Sequence, residues 1–530
     1  MPKFLSTTAK WVSRGSARER IVLIGLLIAV IFLAFYNLEY NPRTWHDEGS
    51  TLSLAKTLVQ DGVYAVRSSE GYQTYGGVQS AGPTVILPIA LSFKLLGIGL
   101  VQGRIVMAVY TLLTVATFYV LGRELFGPRT ALLAVVLLLG SESARFLLLG
   151  RQALAEIPAL GFFLGGWLFS SRSTRTGRLW LCFIAGLLMG VAMVTKSQYI
   201  FMGFGTLGLL TILDMCYYRQ GNVKALMITG LIALSCVFAW WGWQLVYFGI
   251  DTFHENAAKL RTLAASTISL NPQWVAQAIK FLTGPEAGHF YYLWGFPGLI
   301  YIGLLATKRD QHGFVLGFLA IFTYLWLGWW LFLIFPIRHY AYAPMAISAL
   351  FVGKLWHDLI DGFTVSWRML WLEIRHSRPA RASFRLATLT TIVITACYPL
   401  QGRVRADVLE QYQSPQRVAT VLNQIVNRNC IIETWERELA VLTDHNYHFP
   451  DQSLLITIHD STYHGGILGA DYFREYHPSY LVLGWFGRTG SGFSYNIYDM
   501  DFVARYGDLV ATVDDYEIYK LHWIDNDSCP

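Results

Sequence analysis

At 530 residues the chain is long enough for several domains, yet it is 54% hydrophobic with only 14% charged residues, against about a quarter charged in a soluble protein. That deficit excludes an ordinary water-soluble globule. The net charge of +6 is concentrated in short loops between apolar runs, which is an orientation signal for a membrane protein and not the footprint of a nucleic-acid partner.

Apolar stretches of about 17–23 residues, the length that crosses a hydrocarbon core, recur from Ile21 to Leu400. In chain order the expected spans are 21–38, 101–122, 130–148, 156–170, 180–195, 198–215, 226–248, 290–306, 314–336, 340–356 and 386–402, about eleven in all. The first could be a signal peptide, but no small-residue cleavage site follows Tyr36-Asn-Leu-Glu39, so it reads as a retained helix. Lys3, Lys10, Arg14, Arg18 and Arg20 precede it and place the amino terminus in the cytoplasm. Counting alternately, the basic loops at Arg123 and Arg129, at Arg172 to Arg178, at Arg219 and Lys224, at Lys308 and Arg309 and at Arg368 to Arg385 all fall on that side. Two long loops, 39–100 and 249–289, then face the other way. Within the first, Pro83 to Gly97 is apolar but too short for a span and contains Lys94, which suits a helix lying along the interface.

Residues 1–402 therefore read as a membrane domain of a multi-pass cell-membrane protein, and 403–530 as an extracytoplasmic α/β domain. The tail predicts a helix over 415–428, a strand at Cys430-Ile-Ile-Glu-Thr434 and a helix near Glu436–His445. Further strands are expected at Leu454–Ile458, Tyr480–Trp485 and Leu509–Leu521. Cys430 and Cys529 are its two cysteines, and an outside compartment permits a bond between them without requiring it. His445, His448, His459 and His464 are irregularly spaced and read as solvated loop residues in preference to metal ligands.

Ionisable groups at the edges of membrane helices are costly and mark functional sites by default. Here they gather on one face: Trp45-His46-Asp47-Glu48, Arg104, Arg145, Arg151, Glu156, Lys196, Glu286 and Arg338-His339-Tyr340. Each has a plainer reading. Arg104 and Lys196 suit snorkelling cations. Glu156 suits the start of a helix, with Pro158 in its first turn, and Asp47-Glu48 suits the acidic first turn of an interfacial helix through Ser50–Val59. The constellation argues for a polar cavity more strongly than any member does.

In series, the motifs resemble the GT-C superfamily of polyprenyl-phosphate-sugar glycosyltransferases, of the glycosyltransferase family 39 type, and within it the bacterial protein mannosyltransferases and lipid A aminoarabinose transferases. The likeness is carried by Asp47-Glu48, Leu91-Ser-Phe-Lys-Leu-Leu-Gly97, Arg104, Gly122-Arg-Glu-Leu-Phe-Gly127, Arg151-Gln-Ala-Leu-Ala-Glu-Ile-Pro158, Gly190-Val-Ala-Met-Val-Thr-Lys196 and Arg338-His-Tyr-Ala-Tyr-Ala-Pro344. It implies a GT-C membrane fold, with Asp47 as catalytic acid/base and Glu156 as a second acidic residue, a position where relatives more often carry Asp. It also implies that Lys196 and Arg338 face the donor phosphate. Trp45-His46 stands where protein mannosyltransferases tend to carry Arg, and the acceptor stays open among lipid, polysaccharide and protein.

The reaction so implied moves a sugar from a lipid phosphate to an acceptor hydroxyl. The hydroxyl needs a base, which Asp47 would supply with Glu48 beside it. The leaving phosphate needs positive charge, from Lys196, Arg338 and Arg104. A single displacement inverts the anomeric centre. Glu156 would bind sugar or acceptor hydroxyls, or help hold a divalent cation, the one cofactor left open; His46, Arg151, His339 and Tyr340 are further candidates. No P-loop, Rossmann fingerprint or Asp-x-Asp motif stands out. The rival reading is a transporter or flippase of lipid-linked saccharides, which would show internal repeats and charges near the midplane. A membrane polymerase or ligase of surface polysaccharide is a second rival.

Overall fold

The computed structural model describes residues 17–74, 81–284, 291–360, 362, 379–451, 454, 468–489, 497–522 and 529. Helices stand at every position read as a span. They are α1 (Ala17–Phe35), α4 (Leu100–Phe126), α5 (Pro128–Gly140), α7 (Glu156–Thr176), α8 (Trp180–Thr195), α9 (Gln198–Leu213), α10 (Val223–Phe248), α13 (Phe296–Ala306), α14 (Gln311–Phe332), α15 (Tyr342–Leu359) and α16 (Pro379–Val404). Among the described residues, five helical stretches are long and apolar enough to cross a membrane: Leu100–Phe126, Gln198–Tyr218, Val223–Phe248, Gln311–Phe332 and Ser383–Ile425. Shorter apolar helices complete the bundle, as α8 does by packing against both α7 and α10. The chain is a multi-pass membrane protein.

Its packing explains the apolar excess. Aromatic side chains fill the interior, with Trp167 stacked on Phe318 at 3.6 Å and Phe163 on Phe322 at 4.2 Å between ring centroids. Yet Ile21, Ile28, Phe183, Phe201, Phe238 and Val246 all stay exposed on the helix exteriors. A water-soluble surface does not tolerate apolar exposure on that scale; lipid does.

One expected span is interrupted. The run 130–148 breaks after Gly140, where the Ser141 hydroxyl accepts from the Ala144 amide at 3.1 Å and Arg145 takes a left-handed conformation at φ 48°. The chain resumes as the short α6 (Phe146–Arg151). Local hydroxyl-to-backbone bonding of this kind competes with the helix, and hydropathy averaging does not register it.

The two long loops are structured. The first contains α2 (His46–Gln60), a hairpin of β1 (Val66–Ser68) and β2 (Gly71–Gln73), and α3 (Pro83–Leu96); the second contains α11 (Ile250–Thr267) and α12 (Pro272–Thr283). Helix α3 has the length expected for an interfacial element. Val85, Ile86, Ile89 and Phe93 face the protein, and Leu87, Leu91 and Leu95 stay exposed.

Beyond α16 the chain forms α17 (Ser414–Ile425) and a mixed five-stranded sheet in the order β4-β3-β5-β7-β6. Strand β3 (Ile431–Thr434) runs parallel to β4 (Asn446–His448) and β5 (Tyr480–Leu483), and β6 (Gly507–Val513) and β7 (Tyr516–Leu521) form an antiparallel hairpin. The expected strand Leu509–Leu521 is thus two strands, reversed at Asp514-Asp515 with Asp514 at φ 53°, a conformation aspartate tolerates. The helix expected near Glu436–His445 contracts to the single turn α18 (Leu439–Leu442), and β4 carries no strong apolar alternation. Residues 455–458 of the expected strand Leu454–Ile458, like Glu286, His459 and His464, lie outside the described residues. Cys430 and Cys529 are bonded. His448, read as solvated, is buried and paired with Glu433 inside the sheet, where the Tyr472 and Tyr498 hydroxyls also donate to Glu433 at 2.8 Å.

The C-terminal region is seated on α2. Lys56 donates from Nζ to the carbonyls of Ala440 at 2.8 Å and Thr443 at 2.7 Å, closing the end of α18, and pairs with Asp444 at 2.8 Å. Gly49 meets the Arg437–Glu438 backbone so closely that a Cβ there would stand 2.2 Å from the Glu438 nitrogen. Backbone cannot yield as a side chain does. Gly49→Ala is expected to cost about 1–3 kcal/mol and to loosen the C-terminal region, seen as a lowered melting temperature and faster proteolysis after residue 410; an unchanged protein would show that this contact is not needed.

Candidate active site

Helix α2 begins with Trp45 as its N-cap and places His46, Asp47 and Glu48 in its first turn, where carboxylates complement the helix dipole. Successive residues on a helix point about 100° apart, so the three side chains diverge in three directions.

His46 turns to the C-terminal region. Its ring stacks on Phe486 with centroids 4.3 Å apart, and Nδ1 donates to the Trp435 carbonyl at 2.7 Å. Burial, reinforced by the Arg437 charge, pushes its pKa down to about 3, so the ring is neutral.

Glu48 turns into the bundle and meets Arg104 in a two-pronged pair. Nε donates to Oε1 at 2.7 Å and Nη2 to Oε2 at 2.6 Å, with neither side chain exposed. Arg104 also donates to the Leu38 carbonyl at 2.8 Å and the Thr44 hydroxyl at 3.0 Å, and Glu48 accepts from the Ala153 amide at 3.1 Å. The guanidinium expected at a phosphate is thus engaged on both edges by the protein itself. Arg151 is engaged likewise: it donates to the carbonyls of Leu33, Tyr36 and Asn41, at 2.6 Å and 3.0 Å for the last two. It closes the end of α1, where a cation meets the negative pole of the dipole.

Asp47 is left over. It is half-buried, and among the described residues its carboxylate takes no hydrogen bond. Burial pushes its pKa up to about 6, with Lys196 and Arg437 drawing it down and Glu156 pushing it up.

Lys196 caps the end of α8 and Glu156 opens α7, and the two meet at 2.6 Å through Oε1. Glu156 is buried, yet among the described residues its Oε2 has no partner, which leaves one acceptor oxygen for a ligand hydroxyl. Over this pair lies the short helical turn Arg338–Ala341. Its backbone is held by two indoles of α14, Trp330 Nε1 donating to Ile337 at 2.9 Å and Trp326 Nε1 to Tyr340 at 2.7 Å. The Tyr340 ring is 5.7 Å from the Lys196 ammonium, and His339 sets its edge against Trp45 at 5.8 Å. Arg338 lies apart from this pair among the described contacts: its guanidinium is 5.5 Å from the Phe281 ring and exposed, and it acts electrostatically on Arg145.

The structure therefore gathers Asp47, Glu156, Lys196, His339 and Tyr340, and sets Glu48, Arg104, Arg151 and Arg338 at other work. It adds a residue that sequence reasoning missed. Arg437, just past β3, is buried and acts on Asp47 from the C-terminal side. The signal was present, since Glu436-Arg437-Glu438 is a charged triplet at the carboxyl end of a parallel strand, where α/β sheets place their ligands. Among the described residues, no group of three His, Cys, Asp or Glu side chains is arranged to hold a metal ion.

The profile of the dolichyl-phosphate-mannose-protein mannosyltransferase family matches residues 80–243. Among solved structures, the chain is similar to ArnT from Cupriavidus metallidurans bound to undecaprenyl phosphate, with 14% identity, a TM-score of 0.61, and coverage of 95% of this chain and 98% of that one. It is also similar to the Archaeoglobus fulgidus oligosaccharyltransferase in its apo form, at 13% identity and a TM-score of 0.55, over 96% of this chain and 75% of that one. The archaeal oligosaccharyltransferase AglB from Archaeoglobus fulgidus, in complex with an inhibitory peptide and a dolichol-phosphate, matches at 13% identity and a TM-score of 0.55, over 97% of this chain and 75% of that one. No curated protein matches. The chain has the polytopic GT-C fold, with a sheet-containing C-terminal region.

Proposed function

We propose that the protein is a glycosyltransferase that moves a sugar from a polyprenyl-phosphate donor to an acceptor hydroxyl, on the outer side of the cell membrane. The observation that carries this reading is Asp47: a half-buried carboxylate that takes no hydrogen bond among the described residues and acts electrostatically with the Lys196–Glu156 pair, in a GT-C bundle. The basic short loops support an amino terminus in the cytoplasm and a C-terminal region outside. The similar proteins solved with undecaprenyl phosphate and with dolichol-phosphate support a lipid-phosphate donor.

The chemistry follows from the charges. The acceptor oxygen attacks the anomeric carbon as the bond from that carbon to the phosphate oxygen breaks, and the hydroxyl proton passes to Asp47. The departing polyprenyl phosphate gains negative charge, which Lys196 is placed to offset in a site where water screens it poorly. Glu156 orients Lys196 through one oxygen and offers the other to a hydroxyl of sugar or acceptor. Glu48, Arg104 and Arg151 hold the loop that presents Asp47 and touch no substrate.

The test is release of free polyprenyl phosphate from a panel of polyprenyl-phosphate sugars, with candidate acceptors present. No release from any donor would sink the reading and return transport to first place. The pH profile adds a second check. A base works deprotonated, so with the Asp47 pKa raised to about 6 turnover is expected to fall as pH drops through that value and to level off above it. An acid limb centred near pH 4 would place the base elsewhere.

A further inference from the structure

We propose that Arg437 is a substrate-binding residue of this site, holding a phosphate-class oxyanion beside Asp47 from the C-terminal side. The inference rests on the glycosyl-transfer reading and adds to it a second cationic contact, supplied by a different part of the chain from Lys196.

A buried guanidinium ordinarily has its five N–H groups engaged, as those of Arg104 largely are. Arg437 is 2% exposed, and among the described residues neither its Nε nor its Nη1 has a hydrogen-bond partner. Nη2 has one long contact, to Gln73 Oε1 at 3.4 Å. Asp47 and Asp451 act on it electrostatically, but it makes no ion pair with a described carboxylate. Burying a cation is costly, and among the described residues no carboxylate bonds to this one although carboxylates stand nearby. Glu436 and Glu438, its two neighbours, are directed away: Glu436 accepts from the Gly487 amide at 2.9 Å and Glu438 from the Tyr516 hydroxyl at 2.8 Å.

The guanidinium is also held in place. Its face lies over the Phe449 ring at 4.8 Å, its carbonyl accepts from the Ser53 hydroxyl at 3.3 Å, and its backbone is pressed against Gly49. Ser53 and Gly49 belong to the same helix as Asp47, so cation and carboxylate are carried on one rigid contact. A preorganised guanidinium with free N–H groups suits the planar edge of a phosphate or phosphodiester. Lys196 acts on Asp47 from the membrane helices and Arg437 from the C-terminal region, so a phosphoryl group held by Arg437 beside Asp47 belongs either to the donor lipid or to an acidic acceptor.

The experiment uses the full chain in lipid nanodiscs and measures binding of inorganic phosphate and, separately, of undecaprenyl phosphate, for wild type, Arg437→Gln and Arg437→Lys. Inorganic phosphate is expected to bind wild type, to bind the Gln variant at least about tenfold more weakly, and to recover in part with Lys. If the Gln variant also loses undecaprenyl phosphate to a similar degree, the oxyanion is the donor's; if that affinity is unchanged, it is the acceptor's. Equal phosphate affinity in wild type and the Gln variant overturns the proposal, as does a wild type that binds no phosphate. A Gln variant that only melts earlier, with phosphate affinity intact, makes Arg437 a packing residue and overturns it too. Wild-type binding of undecaprenyl phosphate is read independently, so failure of the donor reading is distinguishable from failure of this one.

Discussion

Asp47→Asn is expected to reduce sugar transfer by about 10²–10⁴-fold, the contribution typical of a positioned general base, and to leave the fold intact. The reason lies in what Asp47 does not do. Asn has nearly the same shape, and the carboxylate it replaces makes no hydrogen bond to a described residue. Burial disfavours the charged form of Asp47, so the neutral amide removes an unfavourable term instead of a supporting one. Release of polyprenyl phosphate and a melting curve, measured on the same preparation, test both halves. Undiminished turnover would dismiss Asp47 as the base and pass the role to Glu156, whose second oxygen has no partner among the described residues.

One residue further along, the expectation inverts. Arg104→Met is expected to destabilise the protein by about 3–5 kcal/mol, because it strands the Glu48 carboxylate in a site with no solvent. Glu48→Gln should cost less, since the amide still accepts from Ala153 but loses one prong to Arg104. The double replacement Glu48→Leu with Arg104→Met should recover part of the loss, as buried pairs often yield to apolar substitutes. Recovery stays partial because the Leu38 carbonyl and Thr44 hydroxyl lose their donor as well. Chemical or thermal unfolding of the purified variants measures this. If Arg104→Met melts like wild type, the pair is not what holds the first loop, and Arg104 returns as a phosphate ligand. Adjacent acids, one governing rate and the other stability, form a contrast that a merely electrostatic role for both would not produce.

The membrane helices were legible because their signal is composition over a long window, and lipid allows few alternatives. Shorter features were less so. The break after Gly140 and the hairpin at Asp514-Asp515 depend on one or two residues, which a window averages away. The convergence of Asp47, Glu156 and Lys196 was legible, since they stand at helix ends that meet. Their division of labour was not. Whether Glu48 joins Asp47 or Arg104 depends on which way a helix turns, and whether Arg338 approaches Lys196 or Phe281 depends on a four-residue turn held by Trp326 and Trp330. Arg437 escaped notice because it belongs to another part of the chain. Only tertiary packing brings it to α2.

That packing also sets a timetable. The hydrogen bond between His46 and Trp435 spans 389 residues, which a ribosome adding about 5–20 residues per second covers in roughly 20–80 s. During that interval α2 is already made, but the segment that seats against Gly49 and brings Arg437 to Asp47 is not yet translated. The bond from Cys430 to Cys529 closes later still. A nascent chain therefore carries Asp47 well before it carries Arg437, and the two meet only after residues 435–438 have been made.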